Sequence, residues 1–273
     1  MSVQSVPALS ILFMALALVI SVALPVGLGI YFYKVKKADP VAFFVGCGVM
    51  ILFAFVLESA VHRLVLNTRA GAALRENVWL YALYGGAMAG LFEEGGRFLA
   101  FRTLLRKRQT PDANALMYGA GHGGIEAFVI LGITSVNNIV YSVILNTGST
   151  EMLTASLPEE VLKQVEEVFQ ALVSTPPWQF LLGGAERILA VILQLSLSVL
   201  VWFAAKKNDR ILLFPLAILI HLIVDAVTVI LSEKGVSPLP LEGVVAVFAA
   251  IAALVAGLVW KKNAEPGPEK TTD

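Results

Sequence analysis

Residues 79–105 read WLYALYGGAMAGLFEEGGRFLAFRTLL, and this stretch decides the fold class. It is long enough for a bilayer-crossing helix, which takes about 20 residues, and otherwise apolar enough, yet it carries Glu93, Glu94 and Arg97 well inside its ends. An ionisable group in hydrocarbon costs at least about 2.5 to 3.5 kcal/mol on insertion scales, so a helix that keeps three of them is holding a polar site. The same habit recurs in two other apolar stretches, which hold His122 with Glu126 and His221 with Asp225.

Composition agrees with this reading. Of the 273 residues 58% are hydrophobic and only 15% charged, and the mean hydropathy is +0.80. That excludes a soluble domain covered by its own charges, and with the formal net charge at zero nothing calls for a nucleic-acid partner. The expected class is an all-α membrane protein with seven spans, at about 8 to 32, 41 to 60, 79 to 105, 112 to 134, 178 to 205, 211 to 231 and 239 to 260. Together residues 1–262 read as a single polytopic membrane domain, with 263–273, rich in Pro, Glu, Lys and Thr, as a disordered cytoplasmic tail. The first span reads as a retained helix, because nothing basic precedes it and Lys34, Lys36 and Lys37 follow it. Cys47 is the single cysteine, so neither an intrachain disulfide nor a cysteine metal site is expected.

Basic residues set the expected orientation in the cell membrane. Lys34, Lys36, Lys37, Arg102, Arg106, Lys107, Arg108, Lys206, Lys207, Arg210, Lys261, Lys262 and Lys270 fall on alternate connections and are thirteen of the 20 Lys and Arg. By the positive-inside rule those connections are cytoplasmic, which puts the amino terminus outside and the carboxyl terminus inside. On the outer side, Ser156 with Glu159 resembles a capping box with Pro158 in the first turn. The helical spacing of Val161, Val165, Val168, Phe169 and Leu172 then predicts an amphipathic surface helix over about 156–173, ended by Pro176 and Pro177.

Counting from the expected cytoplasmic ends at roughly 1.5 Å per residue places Glu93, Glu94, His122, Gln194 and His221 about 15 to 18 Å deep, with Glu126 and Asp225 one turn farther at about 21 Å. Spans three, four and six therefore converge near the bilayer centre. Glu58, Glu186, Arg187, His62 and Arg63 fall in a layer nearer the outside and read as a structural network. Glu93 and Arg97, His122 and Glu126, and His221 and Asp225 are each four apart, so each pair shares a helix face. Arg97 is expected to keep a buried Glu ionised. A carboxylate beside an imidazole takes a proton from water, and a second His held by its Asp donates to a developing oxyanion. The glycines at 85, 86, 90, 95 and 96 and at 119, 121, 123 and 124 are expected to bring spans three and four together.

These residues resemble a known family. Glu93-Glu94-Gly-Gly-Arg97, Tyr118-Gly-Ala-Gly-His122-Gly-Gly-Ile-Glu126, Glu186-Arg187 followed by Gln194, and His221-Leu-Ile-Val-Asp225 look like the YhfC family of intramembrane metalloproteases, over nearly the whole chain. That family is related to the CAAX-protease and bacteriocin-processing superfamily, whose pattern has a Glu-Glu motif with a following Arg, an aromatic residue four before a His, and a His four before an Asn or Asp. Here the arginine comes one residue earlier, and Glu126 is an extra acid. The resemblance implies Glu93 as general base, His122 as its partner in activating water, Glu94 as second acid, His221 with Asp225 on the oxyanion side, and Arg97, Glu126 and Gln194 as supporting residues. The topology also resembles the anterior-pharynx-defective scaffold subunit of gamma-secretase.

The expected function is hydrolysis of peptide bonds in membrane-embedded or membrane-adjacent substrates, a membrane protein or a lipidated peptide. Two other readings stand beside it, a noncatalytic scaffold with protease-complex partners and a proton-coupled transporter. Zinc is one option, with Glu93, His122 and His221 as three ligands and water as fourth; a metal-free Glu and His mechanism is the other, since the His-Glu-x-x-His signature is missing.

Overall fold

Short polar residues start several of the helices. Asp39 accepts the Val41 N–H at 2.9 Å ahead of Pro40, Thr68 accepts that of Gly71, and Asn77 accepts those of Trp79 and Leu80. Each satisfies backbone donors that a first helical turn leaves open. The fold is that of a computed structural model describing residues 5–155 and 157–265, apart from the side chains of Met152 and Leu153. The Ser156 cap and the tail from 266 lie outside the described residues.

Those residues form helices throughout, with no strand among them. The principal ones are α1 (Ala8–Lys34), α2 (Pro40–Leu66), α3 (Arg69–Glu76), α4 (78–102), α5 (Asn114–Asn146), α6 (Glu159–Ser174), α7 (Pro177–Lys206), α8 (Leu213–Glu233) and α9 (Pro238–Asn263). Six helical stretches are long and apolar enough to cross a membrane: α1, α2, α5, α7, α9 and the run Asn208–Glu233 that contains α8. The remaining long one, α4, has the length but not the apolarity, because Glu93, Glu94, Arg97 and Arg102 lie on it. The fourth predicted span is longer than expected. It continues past 134 to Asn146, with Ser135 and Ser142 turned inward and buried while Asn137 stays exposed.

The chain divides into two compact units, Met1–Ala23 with Ala127–Arg187, and Leu24–Glu126 with Ile188–Asp273. In the first, Val6, Met14 and Leu172 pack with Ile139, Tyr141 and Leu145. There Asn146 closes both hydrogen bonds of Val6, accepting its N–H at 2.8 Å and donating to its carbonyl at 3.0 Å. The apolar stripe of α6 is seated on α5 in this unit, with Phe169 edge-on to Tyr141.

The second unit holds the larger core, in which Phe101, Tyr118, Leu197, Leu200, Trp202 and Phe203 are fully buried. Its outward residues are apolar, Phe44, Leu254 and Leu258 among them, as a surface facing hydrocarbon requires. The glycines of α4 and α5 do not bring those two helices together as expected. A Cβ on Gly86 would meet the Leu222 carbonyl of α8, one on Gly121 the Phe43 carbonyl of α2, and one on Gly123 the Gln194 side chain of α7. Glycines one turn apart share a neighbour, Gly86 and Gly90 facing α8 and Gly119 and Gly123 facing α7, whereas Gly121, two residues from either, faces α2.

One polar hub ties the end of this unit. Asp112 accepts from Lys206 Nζ at 2.8 Å, Trp202 Nε1 at 2.9 Å and the Glu265 N–H at 3.0 Å. Burial alone would push its carboxyl up, but these donors outweigh it and hold the group below the usual carboxylate range. Asn263, the last residue of α9, is buried, accepts from Arg210 Nε at 2.9 Å through its side chain and receives Lys207 Nζ on its carbonyl.

Candidate active site

The helical turn at Gly90–Glu94 widens to a π-helix. Such a turn inserts an extra residue into the hydrogen-bond ladder and is frequent at functional sites. Here the consequence is that two adjacent acids, Glu93 and Glu94, are both buried. It also changes the pairing expected from a regular helix. Arg97 does not pair with Glu93 four residues back; its Nη1 donates to Glu94 Oε2 at 2.9 Å, and its Nη2 donates to Gln194 Oε1.

Glu93 faces α5 instead. His122 Nε2 lies 3.0 Å from Glu93 Oε2, with the ring fully buried and stacked on Tyr118 at a centroid distance of 5.7 Å. The other ring nitrogen, Nδ1, is 3.5 Å from the Tyr118 hydroxyl. His221 of α8 sits between the acids, its Nδ1 2.9 Å from Glu94 Oε1 and its Nε2 3.9 Å from Glu93 Oε1. Asp225, expected to hold His221, stands farther off at 3.5 Å from Nε2. The closer hold on that ring comes from Glu94, because the π-turn swings the second acid towards α8.

Gln194 ties the cluster together. Its amide nitrogen donates to Glu93 Oε2 at 2.9 Å and to Glu126 Oε2 at 2.7 Å, while its carbonyl accepts from Arg97. The structure thus brings Glu93, Glu94, Arg97, His122, Gln194 and His221 into one buried group, with Glu126 attached through Gln194 and Asp225 through His221. Sequence spacing could not show that Gln194 bridges three residues, since its partners lie on α4 and α5 at 97, 101 and 68 positions' separation. Of the expected outer layer, Glu58 and His62 pair with one another at 3.1 Å, and Glu186 pairs with Arg187 in the other unit. The stretch Met50–Glu58 that carries Glu58 packs against the Gly90–Glu94 turn that carries Glu93 and Glu94.

The family described as YhfC intramembrane metalloprotease matches residues 20–249 of the chain. The uncharacterized membrane protein YhfC of Bacillus subtilis (strain 168) is 37% identical over 229 residues, which is 83% of this chain and 86% of that relative. The chain belongs to the YhfC family. It is a multi-pass membrane protein, as its relative's name and its own apolar helices both state. No solved structure matches it.

The family name implies a metal, and the YhfC site in this chain fits one in the kind of donor it offers. Two imidazole Nε2 atoms face the two oxygens of one carboxylate, and the opposite ring nitrogens are held by Tyr118 and Glu94, the outer support that metal-binding histidines usually have. The charges point the same way. Glu93 and Glu94 face a single guanidinium in a buried setting, so a further positive charge, a proton or a cation, is needed to balance them. The spacing drawn here is that of hydrogen bonds: among the described residues no three His, Cys, Asp or Glu side chains stand at metal-holding distances.

Proposed function

We propose that this YhfC protein is an intramembrane peptidase that hydrolyses peptide bonds of membrane-embedded or membrane-adjacent substrates. The observation that carries the reading is the contact of 3.0 Å between Glu93 and a fully buried His122, with His221 on the other side of the same carboxylate. A base within hydrogen-bond reach of an orienting imidazole is what proton abstraction from water needs. In this reading α4 is the seventh span, and the amino terminus lies outside. Cysteines placed near Glu160 then label from outside intact cells and cysteines near Arg108 do not; outside labelling at Arg108 overturns the orientation.

Chemistry follows from the placements. Glu93 takes a proton from water while His122 holds the carboxylate in line, and the water oxygen bonds to the substrate carbonyl carbon. His221, fixed through Nδ1 by Glu94, turns Nε2 towards the carbonyl oxygen, where a proton on that nitrogen stabilises the developing oxyanion. Glu93 then passes its proton to the amide nitrogen as the carbon–nitrogen bond breaks. Arg97 and Gln194 keep both acids oriented. Where a dication such as zinc is bound, His122, His221 and Glu93 would hold it, and it would supply carbonyl polarisation and a more acidic water.

The test is reconstitution of the full chain in vesicles with membrane-spanning and lipidated reporter peptides, with products read by mass spectrometry. New termini within or beside the apolar stretch support the reading, and intact peptides under all conditions reject it. The metal is tested on the same preparation. Stoichiometric zinc, lost when either His122 or His221 is replaced, together with a chelator-induced fall in Tm of the size set by RT ln(1 + [L]/Kd), supports the three-ligand assignment. Active protein that contains no metal and ignores chelator removes zinc from the mechanism.

A further inference from the structure

Glu58 lies in a second π-helical stretch, Met50–Glu58 of α2, which packs on α4 at the site. It is nearly buried, yet polar contacts lead away from it. His62 Nε2 is 3.1 Å from Glu58 Oε1, and His62 Nδ1 is 3.0 Å from the Tyr84 hydroxyl of α4. The stretch that ends in Glu58 packs against the Gly90–Glu94 turn that carries Glu93.

Side-chain exposure falls in steps along these residues, from 36% at Asp225 and 29% at His62 to 11% at Glu58, 9% at Glu93 and 0% at His122. A carboxylate exposed to hydrocarbon would carry the insertion cost of a charge, which argues that the open side of Asp225 meets water. Beyond His122 the opposite holds. Tyr118, Phe101 and Trp202 have no exposure, and their rings close on one another at centroid distances of 4.6 and 5.1 Å.

We propose that water reaches Glu93 from the side of Asp225 and His62, past Glu58, and that the Phe101–Tyr118–Trp202 side is shut. Glu58 is then a positioning residue: it holds entering water beside the acids, where Asp225, Glu93 and His221 supply the two to four polar partners an ordered water requires. Hydrolysis consumes one water per bond cut, so a buried site in hydrocarbon needs such a route. The inference stands on exposure and contacts and does not depend on the peptidase reading.

Thiol labelling in vesicles by a charged, water-soluble methanethiosulfonate tests it without any cleavage assay. In a Cys47→Ala background of the full chain, Asp225→Cys should react fastest and Glu93→Cys more slowly. Phe101→Cys should lag Glu93→Cys by about 100-fold, as a charge that must enter hydrocarbon would. Adding Glu58→Leu should slow the Glu93→Cys reaction, and Glu58→Gln should largely restore it. Equal rates at Phe101→Cys and Glu93→Cys, or no effect of Glu58→Leu, would overturn the route. Should Glu58→Leu also open Phe101→Cys, the sign of a loosened fold, His62→Leu at the rim decides by the same comparison.

Discussion

Glu93→Gln should lower peptide cleavage by at least about 100-fold, the lower end of what a positioned general base contributes, while Tm stays close to that of the unaltered protein. Gln keeps the length and shape of Glu, and its carbonyl still accepts from Gln194 Nε2, which now sits 2.9 Å from Glu93 Oε2. What it cannot do is take a proton from water. His122 Nε2 faces the same oxygen at 3.0 Å, so the Gln carbonyl accepts from a protonated Nε2 as well and the packing of α4 on α5 is kept. Cleavage at the original rate in the Gln variant would remove Glu93 from the base role. A fall in cleavage matched by a large fall in Tm would mean that its part is structural.

Arg97→Leu should be among the most destabilising single changes in the chain. The guanidinium has no exposure, and it donates both to Glu94 and to Gln194. Removing it strands a buried carboxylate, for which broken buried pairs cost about 3 to 5 kcal/mol. In a chain of this size that corresponds to a fall in Tm of roughly 6 to 20 °C. Arg97→Lys should recover only part of the loss, because a single ammonium does not reproduce the forked geometry that reaches two acceptors. Adding Glu94→Gln to Arg97→Leu should restore stability, since the uncompensated charge is then gone, and the size of that recovery measures the coupling between the two residues. An unchanged Tm in Arg97→Leu would show that the pair contributes nothing to the fold.

The all-helical architecture could be read from the amino-acid order because the bilayer imposes a length on apolar runs. The count of helical rise grouped the residues that the structure gathers around Glu93, since the rise per residue is nearly the same along every helix. It failed where the helix is not regular. The π-turn at Gly90–Glu94 moved the partner of Arg97 from Glu93 to Glu94, and a second widened turn at Met50–Glu58 packs against it. No propensity in GLFEE or MILFAFVLE announces a widened turn; packing against neighbours from elsewhere in the chain selects it. The end of α5 was missed for a related reason. Ser135, Asn137, Asn138 and Ser142 interrupt the apolar run after 134, yet both serines are buried inside a helix that runs to Asn146.

The charges on α4 also bear on how the protein is made. Glu93 meets His122 only 29 residues later in the chain, but Glu94 meets His221 127 residues later and Arg97 meets Gln194 97 residues later. When α4 leaves the ribosome, two acids and one base therefore travel without most of the groups that will neutralise them. A segment so burdened enters lipid poorly by itself, which is why it alone among the long helices lacks the apolarity of a span. Its insertion is tied to the arrival of α5, α7 and α8. Assembly order thus doubles as a safeguard, because the acids, both imidazoles and the bridging amide come together only after α8 has been synthesised, and a partly made chain lacks the site on which the proposed peptidase reading rests.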